Sequence, residues 1–158
     1  IGQGSGVDYT ELLKLARQTE LESGPAIKDA NVREHLADWY VETQGLKYTK
    51  FRTLTALSKG QTPGPESSIG KIVSGPKMQD LASFAMDLQG QGGILQGDED
   101  AEMNAAFQNQ WMWGAGYRIA GGTDEILRNI VSEQVLGLPQ DIRVDKQVPF
   151  NELPSGRK

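Results

Sequence analysis

Between Asn31 and Leu57 the chain carries one unbroken helical pattern. Val32, Leu36, Trp39, Tyr40, Thr43, Leu46, Leu54 and Leu57 recur on a single broad stripe. About 28 residues of helix span roughly 42 Å at 1.5 Å per residue. A rod of that length must bury its stripe against helices of comparable length, which points to a bundle rather than a compact α/β domain. Asn31 is placed to cap this helix, and Glu34 follows three residues later, close to a capping box.

The rest of the chain repeats the helical period. "VDYTELLKLARQTE" places Val7, Leu12, Leu13 and Ala16 as a short helix, and "LESGPAIKD" punctuates it with Gly24-Pro25. "SKGQTPGPESS" is a loop, and Pro65 can open the next helix because the first turn tolerates its missing N–H. Ile69, Val73, Leu81, Phe84 and Leu88 continue that helix, which Pro76 is expected to kink or break. A glycine-rich loop, "QGQGGILQGDEDAE", precedes a third long helical stretch, expected from near Asp98 to Gly114–Gly116. A last helix starts at Thr123 and stops at Gly137 and Pro139. No strand alternation of useful length is present. The expectation is an all-α, antiparallel four- to five-helix bundle over residues 1–139, with an extended or disordered tail over 140–158.

Composition removes several functions. There is no cysteine, so thiolate metal sites and Cys nucleophiles are excluded, and the single histidine, His35, disfavours a multi-His metal site or a Ser-His triad. No metal site is expected. The net charge is −5 and the pI about 4.9, against a nucleic-acid partner. No run approaches the ~18 apolar residues of a membrane span. The start, "IGQGSGVDYTELL", has neither an initiator Met nor a secretory pattern; the chain reads as a piece of a longer protein, with a cytoplasmic location as the default.

One segment raises a chemical question. In "YRIAGGTDEILRNIVSEQVLGLP", Thr123 is a good N-cap, and Asp124 and Glu125 suit the positive end of a helix dipole. Loop and cap account for one glycine in front of it. The pair Gly121-Gly122 implies either a positive φ or the close approach of a ligand to the backbone, beside a helix start that presents unpaired N–H groups.

The same segment resembles the C-terminal signature of the acyl-CoA dehydrogenases: Ile-Tyr-Glu-Gly-Thr, two residues, Ile, one residue, Arg. Ile119, Gly122, Thr123, Ile126 and Arg128 match it, while Ala120 and Gly121 replace the Tyr and Glu. "VREHLADWYVETQGLKYTKFR" resembles the family's long helix, and "SSIGKIVSGPKMQDLASFAMDLQGQGG" the next one, which ends in a flavin loop. The likeness covers roughly residues 10–140 and leans toward actinobacterial enzymes of fatty-acid and sterol degradation. It implies the helical domain that follows a helical and a β-domain in an FAD-dependent enzyme that oxidises an acyl-CoA to the trans-2-enoyl-CoA. It also implies an acyl-CoA substrate, an electron-transfer flavoprotein as acceptor, and a homo- or hetero-oligomer.

Carried over residue by residue, the resemblance implies cofactor contacts at Gln89, Gly90, Gln91, Thr123, Asp124 and Glu125, and substrate contacts at Gly121 and Gly122. The commonest family base is the Glu before Gly-Thr, and glycine cannot take a proton, so no catalytic residue is assigned. In the isovaleryl and long-chain branch the base lies on an earlier helix, which would place it upstream of Ile1. Two positions depart further: Asp87 stands where the flavin loop has Gln, and Glu20 where the family has the pyrophosphate Arg, with Arg17 out of register. The other functional classes are a non-catalytic subunit paired with one that carries the base, and a helical oligomerisation module without cofactor. His35 reads as a surface or packed histidine. Trp111, Met112 and Trp113 read as core or subunit interface, Lys47, Lys50 and Arg52 as a solvated face, and Asp98, Glu99 and Asp100 as exposed acids.

Overall fold

The computed structural model describes residues 6–62, 64–97, 100–140, 142, 145 and 148–153. Pro63, Asp98, Glu99 and much of the expected tail beyond Gln140 lie outside them. The fold is an all-α, antiparallel helical bundle. Its helices are α1 (Tyr9–Gln18), α2 (Ala30–Ser58), α3 (Ser68–Leu88), α4 (Ala106–Ile119) and α5 (Asp124–Gln134). The Gly24-Pro25 turn tightens into a minimal antiparallel hairpin, β1 (Glu20–Leu21) with β2 (Gly24–Pro25).

Helix starts follow side-chain chemistry. Asp8 and Glu11 form a reciprocal capping box on α1. The α2 cap is Asp29, which accepts from the N–H groups of Asn31 and Val32; the expected Asn31 cap is therefore two residues late. Asp29 wins because Pro25 and a 3-10 turn at Ala26–Lys28 deliver it in extended backbone while Asn31 is already helical.

Three further expectations change. Helix α3 continues through Pro76 rather than breaking there, because proline's φ is helical and the helix is held along its length by α4 and α5. The helix expected from Asp98 starts at Ala106, after a 3-10 turn and three successive left-handed residues, Met103, Asn104 and Ala105. It then runs on through Gly114 and Gly116 to Ile119. Gly114 is a packing residue rather than a stop: a Cβ there would lie 2.5 Å from Cγ of Gln79, so α4 rests directly on α3.

The main core lies at one end of the bundle. Leu12, Leu15 and Ala16 of α1 meet Val32, Leu36 and Trp39 of α2, Leu81 and Ala85 of α3, and Phe107 of α4. Each large buried side chain contributes roughly 1.5–3 kcal/mol. His35 stacks on Phe84 at 4.3 Å, a packed histidine as expected. Helix α3 thus anchors in the core by its C-terminal half and carries α5 and the end of α4 along its N-terminal half.

Candidate functional site

Two loops contain the expected site residues, and α3 separates them. The turn Ala120–Thr123 lies against the beginning of α3, while Gln89, Gly90 and Gln91 follow its end. Lys71, which touches the first, and Gln89 are 18 residues apart, roughly 27 Å of helix. The chain does not bring the two groups of residues into one cluster.

At the first loop both glycines have positive φ, +67° at Gly121 and +106° at Gly122. A Cβ on Gly121 would meet nothing within 4 Å, and one on Gly122 only ordinary contacts with Leu127 and Ile126. Backbone conformation, not crowding, requires them. Thr123 caps α5, its hydroxyl accepting from the Ile126 N–H at 3.4 Å. Asp124 is only 3 % exposed; its Oδ2 accepts from Arg118 Nε at 2.6 Å, and Arg118 Nη1 donates to Gln79 at 3.0 Å. Gly75 lies beneath this pair, where a Cβ would stand 3.0 Å from Cγ of Arg118. Glu125 is exposed, and its carboxyl is held below its ordinary value by its own backbone N–H and the Thr123 hydroxyl. Lys71 of α3 donates to the carbonyls of both Ala120 and Gly122 and lies 5.7 Å from the centre of the Tyr117 ring.

Beside this turn is a groove of about 510 Å³, lined by Met78, Gln110, Trp113, Gly116, Tyr117 and Ala120. Trp113 is 76 % exposed, and Trp111 and Met112 are also exposed, so none of them belongs to the core. Gln110 is buried; its Nε2 donates to the Met78 carbonyl while its Oε1 has no partner.

The second loop is a 3-10 turn, Gly90–Ile94. Gly93 sits on the end of α3, where a Cβ would fall 2.2 Å from the Met86 carbonyl oxygen. Gly90 and Gln91 are exposed. Gln89 Oε1 accepts from Gln108 Nε2 at 3.2 Å, but its own buried Nε2 is unpaired. Gln108 is 3 % exposed and also reaches the Gly92 carbonyl. Sequence reasoning missed Gln108 and Gln110, because a polar residue in an amphipathic pattern reads as the wet face. It also passed over Lys71, one charge near the start of a helix.

A family model described as "Acyl-CoA dehydrogenase, C-terminal domain" matches residues 7–136. Acyl-CoA dehydrogenase IpdE1 of Mycolicibacterium smegmatis is 28 % identical over 136 residues, covering 86 % of this chain and 31 % of the relative. Acyl-CoA dehydrogenase FadE34 of Mycobacterium tuberculosis is 28 % identical over 139 residues, 88 % of this chain and 17 % of its own length. The fold resembles the ChsE4-ChsE5 complex of Mycobacterium tuberculosis with a TM-score of 0.73 at 21 % identity, over 84 % of this chain and 35 % of that one. The chain thus spans about a third or less of the proteins it matches. The bundle, the signature turn before α5 and the match over residues 7–136 together show that this chain belongs to the acyl-CoA dehydrogenase C-terminal domain family.

Proposed function

We propose that this chain is the C-terminal domain of an FAD-dependent acyl-CoA dehydrogenase, an enzyme that oxidises an acyl-CoA to the trans-2-enoyl-CoA and passes electrons to an electron-transfer flavoprotein. A cytoplasmic location goes with this reading. The observation that carries it is the Ala120–Thr123 turn, open above Gly121 and flanked by a largely apolar groove that suits an acyl chain. Bound FAD would accept the hydride. The residues present fit that cofactor at the second loop, where the buried Gln89 Nε2 is an unpaired donor and nothing stands over Gly90. Gln89, Gly90 and Gln91 are the proposed contacts there, and Thr123, Asp124 and Glu125 at the start of α5. Asp124 acts by holding Arg118, because its carboxylate is buried. Gly121 and Gly122 are the proposed substrate contacts.

Among the described residues no carboxylate occupies the place of Gly121. Asp124 faces Arg118, and Glu125 is an exposed first-turn residue. The proton acceptor is therefore assigned outside this segment, either before Ile1 or on a partner subunit. That absence also supports a second reading: a non-catalytic subunit of a heteromeric dehydrogenase. The likeness to a protein solved as a two-component complex fits it. The test is the visible spectrum and acyl-CoA turnover of the complete protein, alone and with a partner subunit. A flavin spectrum with turnover alone supports the first reading, and turnover only with the partner supports the second. A colourless, inactive complete protein would leave only an oligomerisation module.

A further inference from the structure

The pair Gly121-Gly122 poses a question that the signature leaves open. Successive positive φ values turn the flanking carbonyls, those of Ala120 and Gly122, toward a common point. Lys71 occupies that point: its ammonium donates to both oxygens and lies against the Tyr117 ring face. An ammonium has three N–H donors. Two are used by the carbonyls, and the aromatic face takes up part of the remaining charge. The lysine stem comes from α3, which is anchored by Leu81 and Ala85 in the core at its other end.

The neighbouring contacts make this turn a linked assembly. Tyr117 belongs to α4 and lines the apolar groove together with Ala120. Arg118, the next residue, holds Asp124 in the first turn of α5. Lys71 thus ties α3 to the α4–α5 connection from one side, and the Arg118–Asp124 pair ties α4 to α5 from the other. Between them Gly121 is the open residue of the turn. Without the ammonium the two carbonyls lose the donor they share and are left to separate waters, so nothing holds them together and the turn loosens.

From this geometry we infer that Lys71 is a positioning residue: its ammonium clamps the Ala120 and Gly122 carbonyls and so sets where Gly121 meets the acyl thioester. The inference rests on the proposed dehydrogenase function, but the clamp has its own readout. Misplacement of a reacting group by about 1 Å can cost on the order of 10²-fold in rate.

The experiment compares Lys71→Met and Lys71→Arg with the unaltered sequence in the complete, flavin-loaded protein. Amide hydrogen exchange reports order in residues 119–126, and steady-state kinetics with an acyl-CoA report position. In Lys71→Met, exchange is expected to accelerate in 119–126 and remain unchanged in the core segments of α1 and α3. At equal flavin content kcat/KM falls, by on the order of 10²-fold for a displacement of about 1 Å. Lys71→Arg, which retains the charge and donors, recovers part of both. Unchanged exchange in 119–126 overturns the clamp. Faster exchange with unchanged kcat/KM overturns its role in placing substrate. Uniformly faster exchange across the protein means that Lys71 is merely structural, which also overturns the proposal. If the unaltered protein shows no turnover alone or with a partner, the functional reading fails by itself, since exchange still reads the clamp.

Discussion

At Gly121 and Gly122 the sequence offered two explanations, and the backbone supports one of them directly. Both residues have positive φ, so glycine is favoured whether or not a ligand is present. Left-handed backbone costs other residues roughly 1–2 kcal/mol, less for Asn or Asp. Gly121→Asn is therefore expected to lower the melting temperature by less than Gly121→Val, with Gly122→Ala the costlier alanine scan position because its φ of +106° lies outside the small left-handed well. Equal melting temperatures for Asn and Val at 121 would contradict this. The same strain bears on Gly121→Glu, which restores the commoner family residue. That change has room for its side chain but must accept the strain, and it is expected to destabilise by about 1–2 kcal/mol. Combined with removal of an upstream base, it should leave measurable dehydrogenation if residue 121 faces the substrate. A double variant that binds flavin yet is as inactive as the upstream deletion would place Gly121 elsewhere. What the residues could not reveal was Lys71, because its two partners are backbone carbonyls about 50 positions away in sequence, and a carbonyl leaves no mark on residue type.

Elements were legible where one face is buried and illegible where polar or small residues pack. The 29-residue length of α2 follows from its stripe almost without correction, but the expected burial does not: Val32, Leu36 and Trp39 are buried, while Tyr40, Leu54 and Leu57 of the same stripe are about half exposed. Helix α4 was misplaced because Gly114 and Gly116 read as breakers, whereas Gly114 is required by contact with α3. The α1 capping box was overlooked in favour of Asn31 and Glu34, and it yields a pH prediction. Burial alone would raise the Glu11 carboxyl, but the Asp8 N–H at 3.1 Å and the Thr10 hydroxyl at 2.9 Å outweigh it. The group is held down from 4.5 to about 2. Because the folded value lies below the unfolded one, the unfolded chain binds the extra proton as acid is added. The stabilisation is complete above about pH 4.5 and is lost as pH falls through about 2. Glu11→Gln is expected to cost on the order of 1 kcal/mol at neutral pH and to flatten stability between those limits. Denaturant titrations at pH 7, 4 and 2.5 test this; an identical acid slope in both proteins would show that Glu11 does not carry it.

At the scale of the whole molecule, two features point beyond a single chain. The second half of α2 leaves Tyr48, Phe51, Leu54 and Leu57 about half exposed or more, and their three-residue spacing makes successive side chains neighbours in one continuous ridge that winds slowly round the helix. Exposed apolar surface of this kind marks an interaction site, so the protein is expected to associate, and Phe51→Glu with Leu54→Glu should shift its sedimentation toward monomer with helical content unchanged. A monomeric unaltered protein at micromolar concentration would count against it. The other feature is α3 itself, whose two ends carry the two proposed cofactor and substrate loops roughly 27 Å apart. If both loops serve one reaction centre, the loop after Gln89 belongs to one subunit and the Gly121 turn to its neighbour. Mixing two defective variants of the complete protein decides this. Gln89→Leu would impair one loop and Gly122→Val the other, and each homo-oligomer should be deficient. When the two are unfolded and refolded together, half of the dimers are mixed, and one of the two sites in each contains two intact loops. Activity should then recover to about one quarter of the unaltered level. If both loops of a site come from the same chain, no mixed dimer contains an intact site and mixing restores nothing. No recovery, with mixed dimers demonstrated by mass spectrometry, would confine each site to one chain and sever the proposed link between Gln89 and its neighbour's Gly121 turn.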